Sequence, residues 1–156
     1  MPTYDDSESR KWVIDNFPLD YLPNNTVEIV NRAYNDVIDL QGVDVEGNTT
    51  ILIEVQVRKK WGNLPYKDWT SNRYKDRSWG LTVEQRKWKG RNGRPGHFQL
   101  DQHIPLIYLV LNNTLNRCVF ATRESILSGR TINRFAGRYW GNEDFKHTND
   151  YTEFEL

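Results

Sequence analysis

The stretch from Gly42 to Gln56, GVDVEGNTTILIEVQ, constrains this chain more than any other. Ile51, Ile53, Val55 and Val57 alternate with Leu52, Glu54, Gln56 and Arg58, the period of two that marks a strand with one apolar face. Val43 and Val45 alternate in the same way with Gly42, Asp44 and Glu46, and Gly47-Asn48 supplies a turn between the runs. The stretch therefore predicts an antiparallel hairpin. Its loop decides the chemistry, because a one-residue slip moves every side chain to the other face. A three-residue loop, Gly47 to Thr49, or a bulge puts Asp44 on the face of Glu54, with Gly42 opposite Glu54 leaving room above it. A two-residue loop separates the two acids.

Two carboxylates at that spacing, roughly 7 to 8 Å apart at Cα, suit a hard divalent cation, and such a cation can polarise a phosphodiester and activate water. The charge distribution fits this chemistry. Met1 to Val57 carries three Lys/Arg against eleven Asp/Glu, Arg58 to His103 twelve against four, and Ile104 to Leu156 six against six. An acidic third beside a basic third suits a protein that gathers cations at one place and phosphates at another. The basic segment also interleaves Trp61, Tyr66, Trp69, Tyr74, Trp79 and Trp88 with its cations. Cations to neutralise phosphates and rings to stack or anchor are the composition of a nucleic-acid interface. Arg58, Lys59, Lys60, Arg73, Lys75, Arg77, Arg86, Lys87, Lys89, Arg91 and Arg94 are the expected DNA contacts. Gln56 is uncharged and can orient water or phosphate without titrating.

Around this centre the chain predicts a helix from Asp5 to Phe17, ended by Pro18, and a strand within Thr26 to Asn35. A short helix is expected from Val83 to Lys89, opened by a Thr82/Gln85 capping pair, then a flexible glycine-rich loop from Gly90 to Gly96. Ile104 to Leu111 (IPLIYLVL) reads as a strand covered on both faces. Arg117 to Thr122 is a further strand, and Glu124 to Ser128 a helical turn. Arg130, Arg134 and Arg138 form a cationic stripe if Thr131 to Trp140 is helical, and Asp144 to Leu156 reads as an irregular tail. Glu8 and Glu28 are the acids that can approach the hairpin from outside it. His97 and His103 are too isolated to suggest zinc, and Cys118, the single cysteine, lies in an apolar run where a buried, inert thiol is expected. Neither a membrane-spanning run nor a signal pattern is evident, so a cytoplasmic protein is expected.

Gly-Val-Asp44-Val followed about ten residues later by apolar-Glu54-x-Gln56 resembles the PD-(D/E)XK nuclease superfamily, in the variant where Gln replaces the usual Lys. It also resembles the small homing endonucleases built on that fold. The resemblance implies an α/β fold: a mixed central β-sheet flanked by helices, restriction-endonuclease-like, here with a basic insertion over residues 58–103 of a single domain. It implies Mg²⁺, with Mn²⁺ able to substitute, held by Asp44, Glu54 and the Val55 carbonyl, and Glu8 as an outer acid. Catalytic roles then fall to Asp44, Glu54, Gln56 and Glu8. The expected activity is metal-dependent hydrolysis of double-stranded DNA of the homing or restriction type by a homodimer or homotetramer. A Holliday-junction-resolving enzyme and an inactive nucleic-acid-binding module are the alternatives.

Overall fold

The computed structural model describes residues 7–33, 37–58 and 81–155. Lys59, Lys60, Arg73, Lys75 and Arg77, and the rings from Trp61 to Trp79, lie outside the described residues.

The β3 strand, Thr49–Arg58, is the ten-residue element anticipated from the alternation. It runs antiparallel to β2, Leu40–Val43, which in turn pairs with β1, Glu28–Asn31. On its other side β3 pairs in parallel with β7, Leu106–Asn112, all seven residues of which are buried. Beyond it lie β8, Arg117–Thr122, and β11, Thr152–Glu155, both antiparallel. The result is a six-stranded mixed sheet in the order β1-β2-β3-β7-β8-β11 within a mixed α/β fold. A parallel neighbour cannot be reached by a tight turn. The long connection from β3 to β7 follows from that, and it carries β4, Leu81–Val83, the helical turn α2, Gln85–Trp88, and the small hairpin of β5, Gly90–Arg91, and β6, Arg94–Pro95.

The period of two divides the core. On one face Ile51 and Ile53 pack with Leu40, Ile107, Leu109 and the helix α1, Ser7–Asn16, through Trp12, Val13 and, just past its end, Phe17. Cys118 is fully buried on this side, and burial pushes its thiol well above the usual range, as an inert cysteine requires. On the other face Leu52, Leu106, Tyr108 and Val110 pack with Leu81, Val83, Phe98 and Ile126. That layer is a three-stranded sheet in the order β4-β10-β9, built from β9, Arg130–Phe135, and β10, Asn142–Thr148, together with α2 and the helical turn α3, Arg123–Leu127.

Several expectations are corrected. The arginine stripe of 130 and 134 lies on a strand, because a spacing of four satisfies a period of two as well as a helical turn. The region after Asp144 is not irregular: it forms most of β10, and β11. Residues 90–96 form a two-stranded hairpin rather than a loose loop, with Asn92 and Gly93 at positive φ in its turn. The Thr82/Gln85 capping pair does not form. Glu84 is the N-cap of α2, Thr82 bonds His147, and Gln85 reaches Gly90 and Asp144.

Arg123, at the start of α3, is buried and has carbonyl oxygens for partners. It donates to those of Ile104 at 2.8 Å, Phe98 at 2.9 Å, Leu100 at 3.3 Å and Gln102 at 3.4 Å. These bonds shape the segment after the 3₁₀ turn His97–Gln99. Arg123→Met keeps much of the volume but leaves several buried acceptors unpaired, so denaturant unfolding should report a loss of about 3 kcal/mol or more. A loss below about 1 kcal/mol would show that water replaces these bonds.

Candidate functional site

The hairpin register assembles the site, and it is not the expected register. Leu40 pairs with Ile53, Gln41 with Leu52 and Gly42 with Ile51, but Val43 pairs with Thr49, so a bulge falls between Gly42 and Val43. The loop that remains, Asp44 to Asn48, is a closed turn: the Asp44 carboxylate accepts from the amides of Asn48 at 2.9 Å and Glu46 at 3.0 Å. Asp44 therefore caps its own turn and does not meet Glu54. Five strand steps from Thr49 to Glu54 separate them by roughly 17 Å. Gly42 sits opposite Ile51 instead of Glu54, in a place so tight that an added Cβ would lie 2.8 Å from the side chains of Ile51 and Thr26.

One step beyond the Leu40–Ile53 pair, the same register brings Asp39 opposite Glu54. The Asp39 carboxylate accepts from the Val55 amide at 2.9 Å and shares a hydrogen bond with Glu54. Glu54 is 1 % exposed. Its Oε2 also meets Lys87 Nζ of α2 at 3.3 Å and His97 Nδ1 at 2.5 Å. Lys87, only 4 % exposed, is thus committed to the site rather than to the surface. Beside this cluster, Arg58 Nη1 lies 3.6 Å and Arg86 Nε 3.1 Å from Glu84. Tyr108 pairs with Glu54 across the β3–β7 ladder, and its hydroxyl is buried with no hydrogen-bond partner among the described residues.

The protonation pattern follows from burial and neighbours. Burial, then the bond to Glu54 and its charge, push the Asp39 carboxyl up to about 7, against the opposing pull of the Val55 amide and Lys87. Asp39 therefore keeps its proton up to about pH 7 and offers it to Glu54 in their hydrogen bond. Burial, and then the charges of Lys87 and Arg86, lower His97 to about 4, outweighing Asp39 and Glu84. A neutral imidazole donating Nδ1–H to Glu54 meets both that shift and the short contact, and leaves Nε2 as an acceptor. Burial works to raise the Glu84 carboxyl, but Arg58 and Arg86 overcome it and hold it below its ordinary value. Burial holds the Tyr108 phenol well above its usual range, so it is a neutral donor.

The remaining expected residues are placed as follows. Gln56, half-buried on the Glu54 face, donates to the Val57 carbonyl at 3.3 Å. Val55 is adjacent to the acid pair through its amide. Glu8 is exposed on α1, whose apolar side packs on the opposite face of the sheet from Glu54, so it is not drawn to this cluster. Of the expected DNA-contacting cations among the described residues, Arg58, Arg86, Lys87, Lys89 and Arg91 pair with Glu84, Glu84, Glu54, Asp144 and Glu143 respectively, while Arg94 is exposed. Asp39, Lys87 as a site residue, His97 and Tyr108 were not legible as a constellation, since three of them reach Glu54 from elements distant in sequence. The available signal was local: with a bulge in the hairpin, Asp39 is the alternative acid opposite Glu54.

Comparison with protein-family models, with curated proteins and with solved structures finds no match to this chain. The site is therefore read from its own chemistry.

The raised Asp39 carboxyl makes stability depend on pH. With 3.8 as its ordinary value and about 7 in the fold, its contribution is fully present below about 4 and is lost as pH rises to about 7. His97 has the opposite sign: its contribution is present above 6.5 and is lost as pH falls toward about 4. Asp39→Asn cannot ionise. In EDTA its stability advantage over the wild type should grow between pH 4 and 7, to a few kcal/mol, and then level off. Thermal or denaturant unfolding across that range measures it, and a constant difference refutes the shared proton.

Proposed function

We propose that this chain is a divalent-metal-dependent endodeoxyribonuclease in which Asp39, rather than Asp44, partners Glu54. The observation that carries the reading is the juxtaposition of these two carboxylates across the bulged hairpin, close enough to share a proton. A buried acid pair that cannot ionise freely is a place where a cation replaces the proton. The donor set fits a hard ion: two carboxylates and, as the superfamily resemblance implies, the Val55 carbonyl, with the unpartnered Tyr108 hydroxyl nearby. Among the described residues no group of three His, Cys, Asp or Glu side chains is arranged to hold a metal. Mg²⁺ or Mn²⁺ can be held by one or two carboxylates, with water and phosphate completing its shell.

Bound there, the ion supplies charge stabilisation on the scissile phosphate and an activated water. The chain's own residues do the rest. Asp39 and Glu54 would hold the ion, the proton between them passing to solvent. Lys87 brings the positive charge that Gln56 lacks to within 3.3 Å of Glu54. His97, neutral with Nδ1–H given to Glu54, keeps Nε2 as a proton acceptor at the rim of the site. Gln56 orients water or phosphate. Cleavage of both strands of a duplex calls for a symmetric pair of such chains.

Supercoiled plasmid should be nicked in Mg²⁺ and in Mn²⁺ but not in EDTA. Asp39→Asn and Glu54→Gln should each reduce the rate by at least about 100-fold, whereas Asp44→Asn should leave it within about twofold, since that carboxylate only caps a turn. Lys87→Met should lose activity with less effect on metal affinity than Asp39→Asn. A second reading, a nucleic-acid-binding module without catalysis, is favoured by the way Lys87 and His97 already occupy Glu54. Intact DNA binding with no nicking in either metal would establish that reading instead.

A further inference from the structure

The β9–β10 hairpin carries a surface that the proposed hydrolysis does not use. Its strands close at the Phe135–Asn142 pair. The tip beyond them is an ordered turn, with Ala136 N donating to Gly141 O at 2.7 Å and Gly141 N to Gly137 O at 2.9 Å. Gly137 and Gly141 have φ of +123° and +63°, conformations that let so short a segment reverse. On this turn Phe135 is 66 %, Tyr139 90 % and Trp140 48 % exposed. Single exposed apolar residues are ordinary, but three exposed rings within six residues at one hairpin tip make a surface of the kind that marks an interaction site.

The chemistry around the rings says what the patch fits. Arg138 is exposed between Gly137 and Tyr139. Arg91 lies over the Trp140 ring, 3.8 Å from its centroid. The acids of the hairpin, Glu143 and Asp144, are paired at 3.4 Å with Arg91 and at 2.7 Å with Lys89, cations from the neighbouring connection. Their charge is thereby compensated, while the exposed Arg138 adds positive charge at the tip. Exposed rings interleaved with guanidinium groups on a tight turn suit a polyanion whose bases offer flat faces, since bases stack on aromatic rings while arginines follow the phosphates. A continuous duplex hides those faces, but unpaired bases present them.

The patch is also tied to the site. Arg91 follows Lys87 by four residues, a span of at most about 14 Å, and Arg91 touches Trp140. The tip thus lies within reach of nucleotides flanking a phosphate bound at Asp39 and Glu54.

We propose that the Phe135–Gly141 tip is a stacking wedge for unpaired bases, so that the preferred substrate is DNA interrupted by a single-stranded segment, such as a gap, flap or branch, rather than continuous duplex. The position of the wedge relative to a cleaved bond rests on the nuclease reading; its binding role does not.

The test compares a blunt duplex with the same duplex interrupted by a short single-stranded gap that carries 2-aminopurine, with binding measured by anisotropy in Ca²⁺. The wild type should bind the gapped DNA at least about tenfold tighter and quench the 2-aminopurine by stacking. A Phe135→Ala/Tyr139→Ala variant, whose substitutions lie on the surface, should unfold at the wild-type temperature yet lose both the preference and the quenching. Tyr139→Trp should keep both. Equal binding of the two DNAs by the wild type, or a double variant that keeps preference and quenching, overturns the proposal. So does a double variant that changes only the sedimentation of the protein, which would assign the patch to a second copy of the chain. If the gapped DNA is preferred and quenched through the tip but no DNA is ever nicked, the wedge stands and the nuclease reading alone falls.

Discussion

A carboxylate buried as completely as that of Glu54 has to be compensated where it stands, because an isolated charge in that environment would cost many kcal/mol. Three groups do this: the Lys87 ammonium, the His97 imidazole N–H and the proton shared with Asp39. Each comes from a different part of the chain, and the architecture is what brings them together. The parallel step between β3 and β7 demands a long connection, and that connection lays α2 and the His97 turn over the Glu54 face. With four residues, α2 is far too short to hold itself as a helix. It is fixed by tertiary bonds instead: Gln85 to Gly90 and Asp144, and Trp88 Nε1 to the Asp144 carbonyl at 3.2 Å. The small sheet thus holds α2, and α2 holds the counter-charge of Glu54.

The elements legible in the sequence are those whose burial is apolar and periodic. Thr49–Arg58 and Leu106–Asn112 appear as anticipated, one half-alternating and the other buried on both faces, and the helix ending before Pro18 is present as well. Asn142–Thr148 was missed because its buried positions are Glu143, Phe145, His147 and Thr148, a pattern with a single apolar residue in it. Its inward polar groups are satisfied by partners that no local pattern reveals, such as Thr82 for His147 and Arg91 for Glu143. The acid pair was half legible. Parity arguments identified Glu54 and left an odd loop or a bulge as alternatives, but where the bulge falls depends on the Asp44 turn and on the close approach of Thr26 to Gly42. Those contacts choose Asp39 over Asp44.

Charge along the chain is likewise a poor guide to charge on the surface. The basic segment after β3 looks in sequence like a uniform phosphate grip, yet its described cations divide into two kinds. Lys87 is buried against Glu54 and cannot be released without stranding a charge. Arg86 and Lys89 form half-exposed pairs with Glu84 and Asp144, contacts worth about 1 kcal/mol or less that a phosphate can displace. The segment therefore serves the interior first, and its outer members remain exchangeable.

That division also bears on Gln56. A lysine at position 56 would stand two residues from Glu54 on the same strand face, where Lys87 already delivers an ammonium from α2. Two ammonium groups beside one buried carboxylate would repel each other and over-compensate it. An uncharged amide at 56, bonded to the Val57 carbonyl, is what the site accommodates once the cation is supplied from the helix. What an acid pair of this kind requires is a positive charge within contact distance, not a particular strand position. Gln56 is on this argument the complement of Lys87.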